Sequence, residues 1–272
     1  MAIALCAEAD TFRYAEKGFD YAVKMTKKLG LKYLEPEVMT GRCLLNVYGF
    51  CNITSLEDDP MEMRKMMQKA GIKAPCLSAH SNLLNTEYGV DYLRKAIRFA
   101  YILGAPIVNT SEGPKPEWMS DCDAFKLMKF NIDTLVKTAE NYGLVLTIEP
   151  HGVYTTDPEG LCAILDLNKS RHFGCNFDTG NVTCAGRDAV KMLEKVIRRV
   201  VHVHLKDVKR MKTPDGHDTG TPAGCPIGQG EVDIEGCIRV LKKNRYKGVL
   251  SIEVSGVEAL KESIAYLKPL VA

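Results

Sequence analysis

The sequence has no run of roughly 18 apolar residues, so no part of it reads as a membrane-spanning helix. It has no excess of one charge: 36 Lys and Arg stand against 34 Asp and Glu, a net charge of +2. That balance argues against nucleic acid or an anionic membrane as partner. The N-terminus lacks the basic start and long apolar region of an export signal, and a cytoplasmic protein is expected. Ten cysteines occur, yet no two form C-x-x-C. Without export, a disulfide framework is not expected. Cys6, Cys76 and Cys175 lie in apolar runs, where a thiol behaves as a small hydrophobe. No glycine-rich phosphate turn follows the first apolar run, Ile3–Asp10, which disfavours an open dinucleotide-binding sheet.

What is present is an alternation of short β-rich runs with longer helical ones. Strands are expected at Ile3–Ala7, Lys32–Pro36, Lys73–Ala79, Ile107–Thr110, Leu144–Glu149, His172–Phe177, Val200–Lys206 and Val249–Glu253. Helices are expected after each, among them Pro60–Ala70, Tyr88–Leu103 and Asp123–Tyr142, each followed by a glycine suited to a left-handed cap. Runs such as LVLTIE and RVVHVH suit parallel strands buried on both faces. Eight such units in 272 residues predict an α/β fold, a single-domain (β/α)8 barrel over 1–272. The segment Asp207–Val232, rich in Gly, Pro and Thr, reads as a long irregular loop.

Active sites of such barrels form at the C-terminal ends of the strands. There the last four strands offer Glu149, Asp178, His204 and Glu253 in succession. Three carboxylates buried together without a cation would be very costly. The set predicts one divalent metal ion, Mn2+ first, with Mg2+, Co2+ or Zn2+ as alternatives. A hydrogen-bonded carboxylate cluster is the metal-free reading. His202 shares the strand face of His204 one layer deeper, and a supporting or core role suits it better than ligation.

TIEPHG, NFDTGN, HVHLKD and IGQGEVD followed by SIEVSG resemble the xylose isomerase-like TIM barrel superfamily of sugar isomerases, ketose 3-epimerases and inosose dehydratases. The resemblance implies that Glu149, Asp178, His204 and Glu253 bind the metal. It further implies that Glu149 and Glu253 exchange protons with the substrate carbon. The expected activity is then a sugar isomerase or epimerase working by proton abstraction α to a carbonyl, through an enediolate. The alternative is a metal-dependent lyase of the inosose dehydratase or 3-oxo-glycoside type, sharing that first step. Asn181 stands where epimerases usually carry a histidine, and HLKD looks more like the dehydratases.

His151, two residues past Glu149, is a candidate general base or hydrogen-bond donor, or simply a surface-loop histidine. Lys206 is the candidate cation near a substrate oxygen. Asn181, Glu112 and His80, with Glu35 and Glu37, are candidates to bind sugar hydroxyls, or else helix caps or solvent contacts. Trp118, the only tryptophan, would cover the substrate or pack on the rim. Six histidines, with His172 and His217 poorly placed, are too few for a three-metal phosphodiesterase site. The expected partner is a small sugar or polyol, with a homo-oligomer or a small accessory subunit also open.

Overall fold

The computed structural model describes residues 3–15, 17–39, 53–212 and 218–272. Cys43, Cys51 and His217 lie outside them. Parallel strands β1 (Ala4–Glu8), β2 (Leu34–Glu35), β3 (Glu37–Met39), β4 (Leu77–Asn82), β5 (Ile107–Ser111), β6 (Val145–Ile148), β7 (Phe173–Asp178) and β8 (Val200–Leu205) build most of one sheet. A hairpin, β9 (Asp207–Lys212) and β10 (Asp218–Cys225), precedes the last sheet strand, β11 (Val249–Ile252). The sheet order is β2-β1-β11-β8-β7-β6-β5-β4-β3. Its two ends, β2 and β3, are one run of chain broken only at Pro36. Proline has no N–H for the ladder, so the second strand pairs with β1 before Pro36 and with β4 after it. The ring therefore closes, and the expected (β/α)8 barrel is the fold.

Helices α1 (Phe19–Lys28), α2 (Pro60–Ala70), α3 (Tyr88–Leu103), α4 (Asp121–Tyr142), α5 (Pro158–Asp166), α6 (Thr179–Cys184), α7 (Ala189–Val196), α8 (Ile234–Lys243) and α9 (Val257–Val271) follow the strands. Their starts are chemically marked. Asp59 and Asp157 each accept backbone N–H bonds at a helix whose first residue is proline, and Ser120, Asp188 and Asp233 cap three more. Gly104 and Gly143 end α3 and α4 at φ +91° and +69°, a conformation costly for any side chain with a Cβ. Apolar faces of the helices seal the outside of the sheet with Met63, Leu93, Ile97, Ile132, Leu135 and Leu241. Every described cysteine is free, and Cys6, Cys76 and Cys175 are fully buried. No described helix is long and apolar enough to cross a membrane.

The segment expected to be a loop, Asp207–Val232, is instead largely the hairpin β9–β10, followed by a turn anchored on Asp207. Its Gly, Pro and Thr content hid an antiparallel pair whose register shifts between Asp218 and Pro222. Asp207 is 1% exposed and accepts from the backbone N–H groups of Gly228, Gly230 and Val232 and from that of Val208. A Cβ on Gly230 would overlap the Asp207 carboxylate, so this glycine is needed for the close approach. HLKD and IGQGEVD are thus two halves of one anchor. Asp207→Ala leaves four N–H groups short of an acceptor, those of Val208 and Val232 buried, and is expected to lower stability by about 3 kcal/mol. Urea denaturation checks this, and a loss under about 1 kcal/mol would refute the anchoring role.

Candidate metal centre and substrate cavity

Strand register brings the four strand-end residues together. Asp178 pairs with His204 across β7 and β8, and Ser251 pairs with His204 across β11 and β8. Glu253 follows Ser251 by two positions and so faces the same side. Glu149, the residue after β6, is fixed by its N–H to Thr110 O at 2.8 Å. His204 Nδ1 lies 3.5 Å from Glu149 Oε2 and 3.9 Å from Glu253 Oε2. Donor atoms of Glu149, Asp178 and His204 all lie within 4.8 Å of one another.

The other face of His204 is held by carboxylates absent from the four-residue reading. Nε2 lies 3.1 Å from Glu35 Oε1 and 3.2 Å from Glu8 Oε1. Ionised carboxylates only accept, so with a cation at Nδ1 the ring proton would sit on Nε2 and the Nδ1 lone pair would face Glu149 and Glu253. Below it, His202 Nε2 donates to Glu35 Oε2 at 2.7 Å and lies 3.1 Å from Ser251 Oγ, which also donates to Glu35. His202 therefore packs against Glu35, one layer under the site. Glu8 went unnoticed because the first strand was read as ending at Ala7. The signal was available: Glu8, like Glu149 and Glu253, directly follows a buried apolar run.

The donor set fits a divalent cation on its own terms. Asp178 spends Oδ1 on the N–H of Asn181 at 2.7 Å as the cap of α6, while Oδ2 is buried and meets no hydrogen-bond donor. Burial, then Glu253 and Glu149, push the Asp178 carboxyl well above its usual range. Burial above all, with Glu253, Glu35 and Glu37 adding to it against the pull of His204, raises Glu8 likewise. Burial works against charge on His204, but Glu8, Glu35 and Glu149 drive its pKa well up. Burial works against Glu253 too, yet the Lys206 ammonium beside it, with His204, draws it down to about 2. A buried oxygen without a donor, on a carboxyl that burial drives toward protonation beside Glu149 and His204, is a group that a divalent cation would satisfy. Glu149, Asp178, His204 Nδ1 and Glu253 are the residues that could hold it.

Three of these residues, Glu149, His204 and Glu253, lie on the floor of a cavity of about 660 Å³ at the C-terminal ends of the strands, and Asp178 is buried outside its lining. His80, His151, Asn181 and Lys206 line it. Asn181 Nδ2 donates to Glu149 Oε1 at 3.3 Å, and Asn176 Nδ2 and Asn109 Nδ2 donate to Oε2. Lys206 is committed to Glu253. The His80 and His151 rings lie 5.3 Å apart. Glu112 is not in the lining. Fully buried, it accepts from the N–H groups of Tyr154 and Thr155 and from the Thr155 hydroxyl, so it anchors the loop after β6 and has no oxygen to spare for a sugar. Trp118 is 81% exposed and neither covers the cavity nor packs on the rim.

A family model described as xylose isomerase-like TIM barrel matches residues 23–270. An inosose dehydratase of Clostridium perfringens strain 13 is 28% identical over 153 residues, covering 53% of this chain and 52% of its own. The chain thus spans about half the length of the first curated relatives it matches. An uncharacterized protein of Methanocaldococcus jannaschii is 30% identical over 199 residues, 67% of this chain and 64% of its own. Among solved structures, a D-tagatose 3-epimerase-like protein superposes with a TM-score of 0.78 at 20% identity, covering 99% of this chain and 97% of that one. An IolI protein with a bound zinc atom gives 0.78 at 17% identity, with 99% and 98% covered.

The raised carboxyls carry a pH signature. Glu37, on the cavity wall, is raised by burial and by Glu253 and Glu149 from 4.5 to about 7, and Asp178 and Glu8 are shifted the same way. A group raised on folding lends stability that is complete below its unfolded pKa and is lost as pH climbs through the folded one. His204, also raised, has the same sign. The metal-free protein should therefore lose stability between about pH 4.5 and 7, and a divalent cation should remove most of that loss. Denaturation midpoints across this range, with Mn2+ or with chelator, give the answer. Identical slopes in both would exclude a cation at these carboxylates.

Proposed function

The chain belongs to the xylose isomerase-like TIM barrel family, and from that premise we propose that it abstracts a proton α to a carbonyl of a small sugar or polyol, with one divalent cation held by Glu149, Asp178, His204 and Glu253. The observation that carries this reading is the pair of carboxylates, Glu149 and Glu253, flanking His204 Nδ1 at 3.5 and 3.9 Å on the floor of the cavity. The bound cation would polarise the substrate carbonyl and lower the acidity barrier of the neighbouring C–H. The oxygen-rich set suits Mn2+ first, and Mg2+, Co2+ or Zn2+ also fit its chemistry. The IolI neighbour, of the same fold, binds a zinc atom, which supports the reading of a bound cation.

The chain's own groups do the rest. Asn109, Asn176 and Asn181 donate to Glu149 and fix the carboxylate that takes the proton. Lys206 holds Glu253 ionised. His80 and His151 offer ring nitrogens to substrate hydroxyls. With a proton removed on one side and returned on the other, the outcome is isomerisation or epimerisation. The second reading is elimination, favoured by the inosose dehydratases among the sequence relatives and by Asn181 in place of a histidine.

Glu149→Gln and Glu253→Gln should each lower kcat by about 10³-fold with the melting temperature little changed, since a glutamine keeps the shape but accepts no proton. Incubating ketoses, inososes and 3-oxo-glucosides with the protein in D2O should place deuterium at the α carbon of at least one of them. Wild-type exchange rates in either variant would overturn the assignment.

A further inference from the structure

The near-balanced total charge conceals a segregation along the barrel axis. Seven segments return the chain from a helix to the next strand: residues 29–33, 71–76, 104–106, 143–144, 167–172, 197–199 and 244–248. Together they carry eight Lys or Arg and no Asp or Glu. All lie at the N-terminal ends of the strands, the face opposite the cavity described above. Part of this charge offsets the carbonyl ends of the helices that stop on that face. Glu140 and Asp166, near the ends of α4 and α5, take the Ser170 hydroxyl and Lys169.

This face holds a pit of about 520 Å³. Its lining comes from β5 and the segment before β4 on one side and from β8 and β11 on the other, so the pit lies across the barrel axis. Met67, Ile72 and Val249 give it apolar walls. Arg64 and Lys73, both exposed, also line it, and no carboxylate does. Arg64 Nη1 donates to Ile102 O at 3.1 Å, which holds the guanidinium in place with N–H groups to spare. Among the described residues, neither Arg64 nor Lys73 is paired with an acid. In the upper cavity, by contrast, Lys206 pairs with Glu253 and Arg13 with Asp10. Between the pit and His204 stand His202, which lines the pit, and Glu35.

We propose that this pit is a second binding site, for a small organic anion with an apolar body, an aryl or alkyl carboxylate. The guanidinium of Arg64 and the ammonium of Lys73 take the carboxylate through charge-assisted hydrogen bonds. The apolar body leaves water against Met67, Ile72 and Val249. The basic segments around the pit draw an anion in without opposing it by like charge. A neutral alcohol gains only the apolar contact and inorganic phosphate only the charge, so the ligand that fits carries both. The site is independent of the chemistry at the other end of the barrel.

Calorimetric titration of the full-length protein with 3-phenylpropionate tests this. It should bind about 10-fold or more tightly than 3-phenylpropanol or inorganic phosphate. Arg64→Ala and Lys73→Ala should each weaken it about 5-fold or more. Gln68→Trp, which lays an indole over the pit from an exposed position on α2, should abolish it. Lys169→Ala combined with Arg171→Ala removes two charges from the same face outside the pit and should change the affinity by less than about 2-fold. Melting temperatures near wild type show that these exposed substitutions leave the fold intact. Affinity no greater than that of the alcohol or of phosphate, undiminished binding in Arg64→Ala and Lys73→Ala or in Gln68→Trp, or an equal loss in the Lys169 and Arg171 double variant would each overturn the site.

Discussion

One buried carboxylate sets the geometry of the rest. Glu35 has no exposure, and it takes hydrogen bonds from His202, His204 and Ser251. A charge this deep survives only when every lone pair is matched. Burial works against its ionisation, yet His202 and His204 hold it well below the usual carboxylate range. Through those contacts β2 is tied to β8 and β11, on the far side of β1. The same contacts fix the His204 ring with Nε2 downward and Nδ1 toward the floor of the cavity, so the aim of the proposed cation ligand depends on a residue from the other end of the chain.

Much of this was legible in the sequence, for a definite reason. A parallel barrel writes its strands as apolar runs and its site as the residues that end them, so TIEPHG, NFDTGN, HVHLKD and SIEVSG pointed to Glu149, Asp178, His204 and Glu253 without knowledge of contacts. The period of two put His202 on the inner face one layer lower, where it packs against Glu35. The part that was not legible depends on partners distant in sequence. Glu35 meets His202 across 167 positions, and Glu112 anchors Thr155 across 43. Nothing local distinguishes Glu112, spent on backbone N–H groups, from a strand-end acid facing a substrate. The hairpin was missed because its glycine, proline and threonine content reads as a loop, while pairing with the preceding segment is what makes it a strand.

Asp207 and Glu112 use one device. Each is a buried carboxylate that accepts from several backbone N–H groups of a neighbouring loop: residues 228–232 for Asp207 and residues 154–155 for Glu112. Such bonds are stronger than those between neutral groups and leave the loop little freedom. Two loops that follow strands of the barrel are thereby fixed before anything binds.

The proline-broken strand has an effect beyond closing the barrel. Glu35 and Glu37 sit two positions apart on one face, roughly 6.6 Å along the chain. The lower one is ionised and the upper one is raised to about 7. The strand thus carries a step in charge state, from an anionic Glu35 below to a Glu37 that is part-protonated near neutral pH, while Lys206 pairs with Glu253 and Arg13 with Asp10. A neutral polyol would arrive by plain diffusion and exchange its water shell for hydrogen bonds at the cavity mouth. Its rate of capture would then be nearly indifferent to ionic strength, unlike that of a charged substrate drawn in by electrostatic attraction.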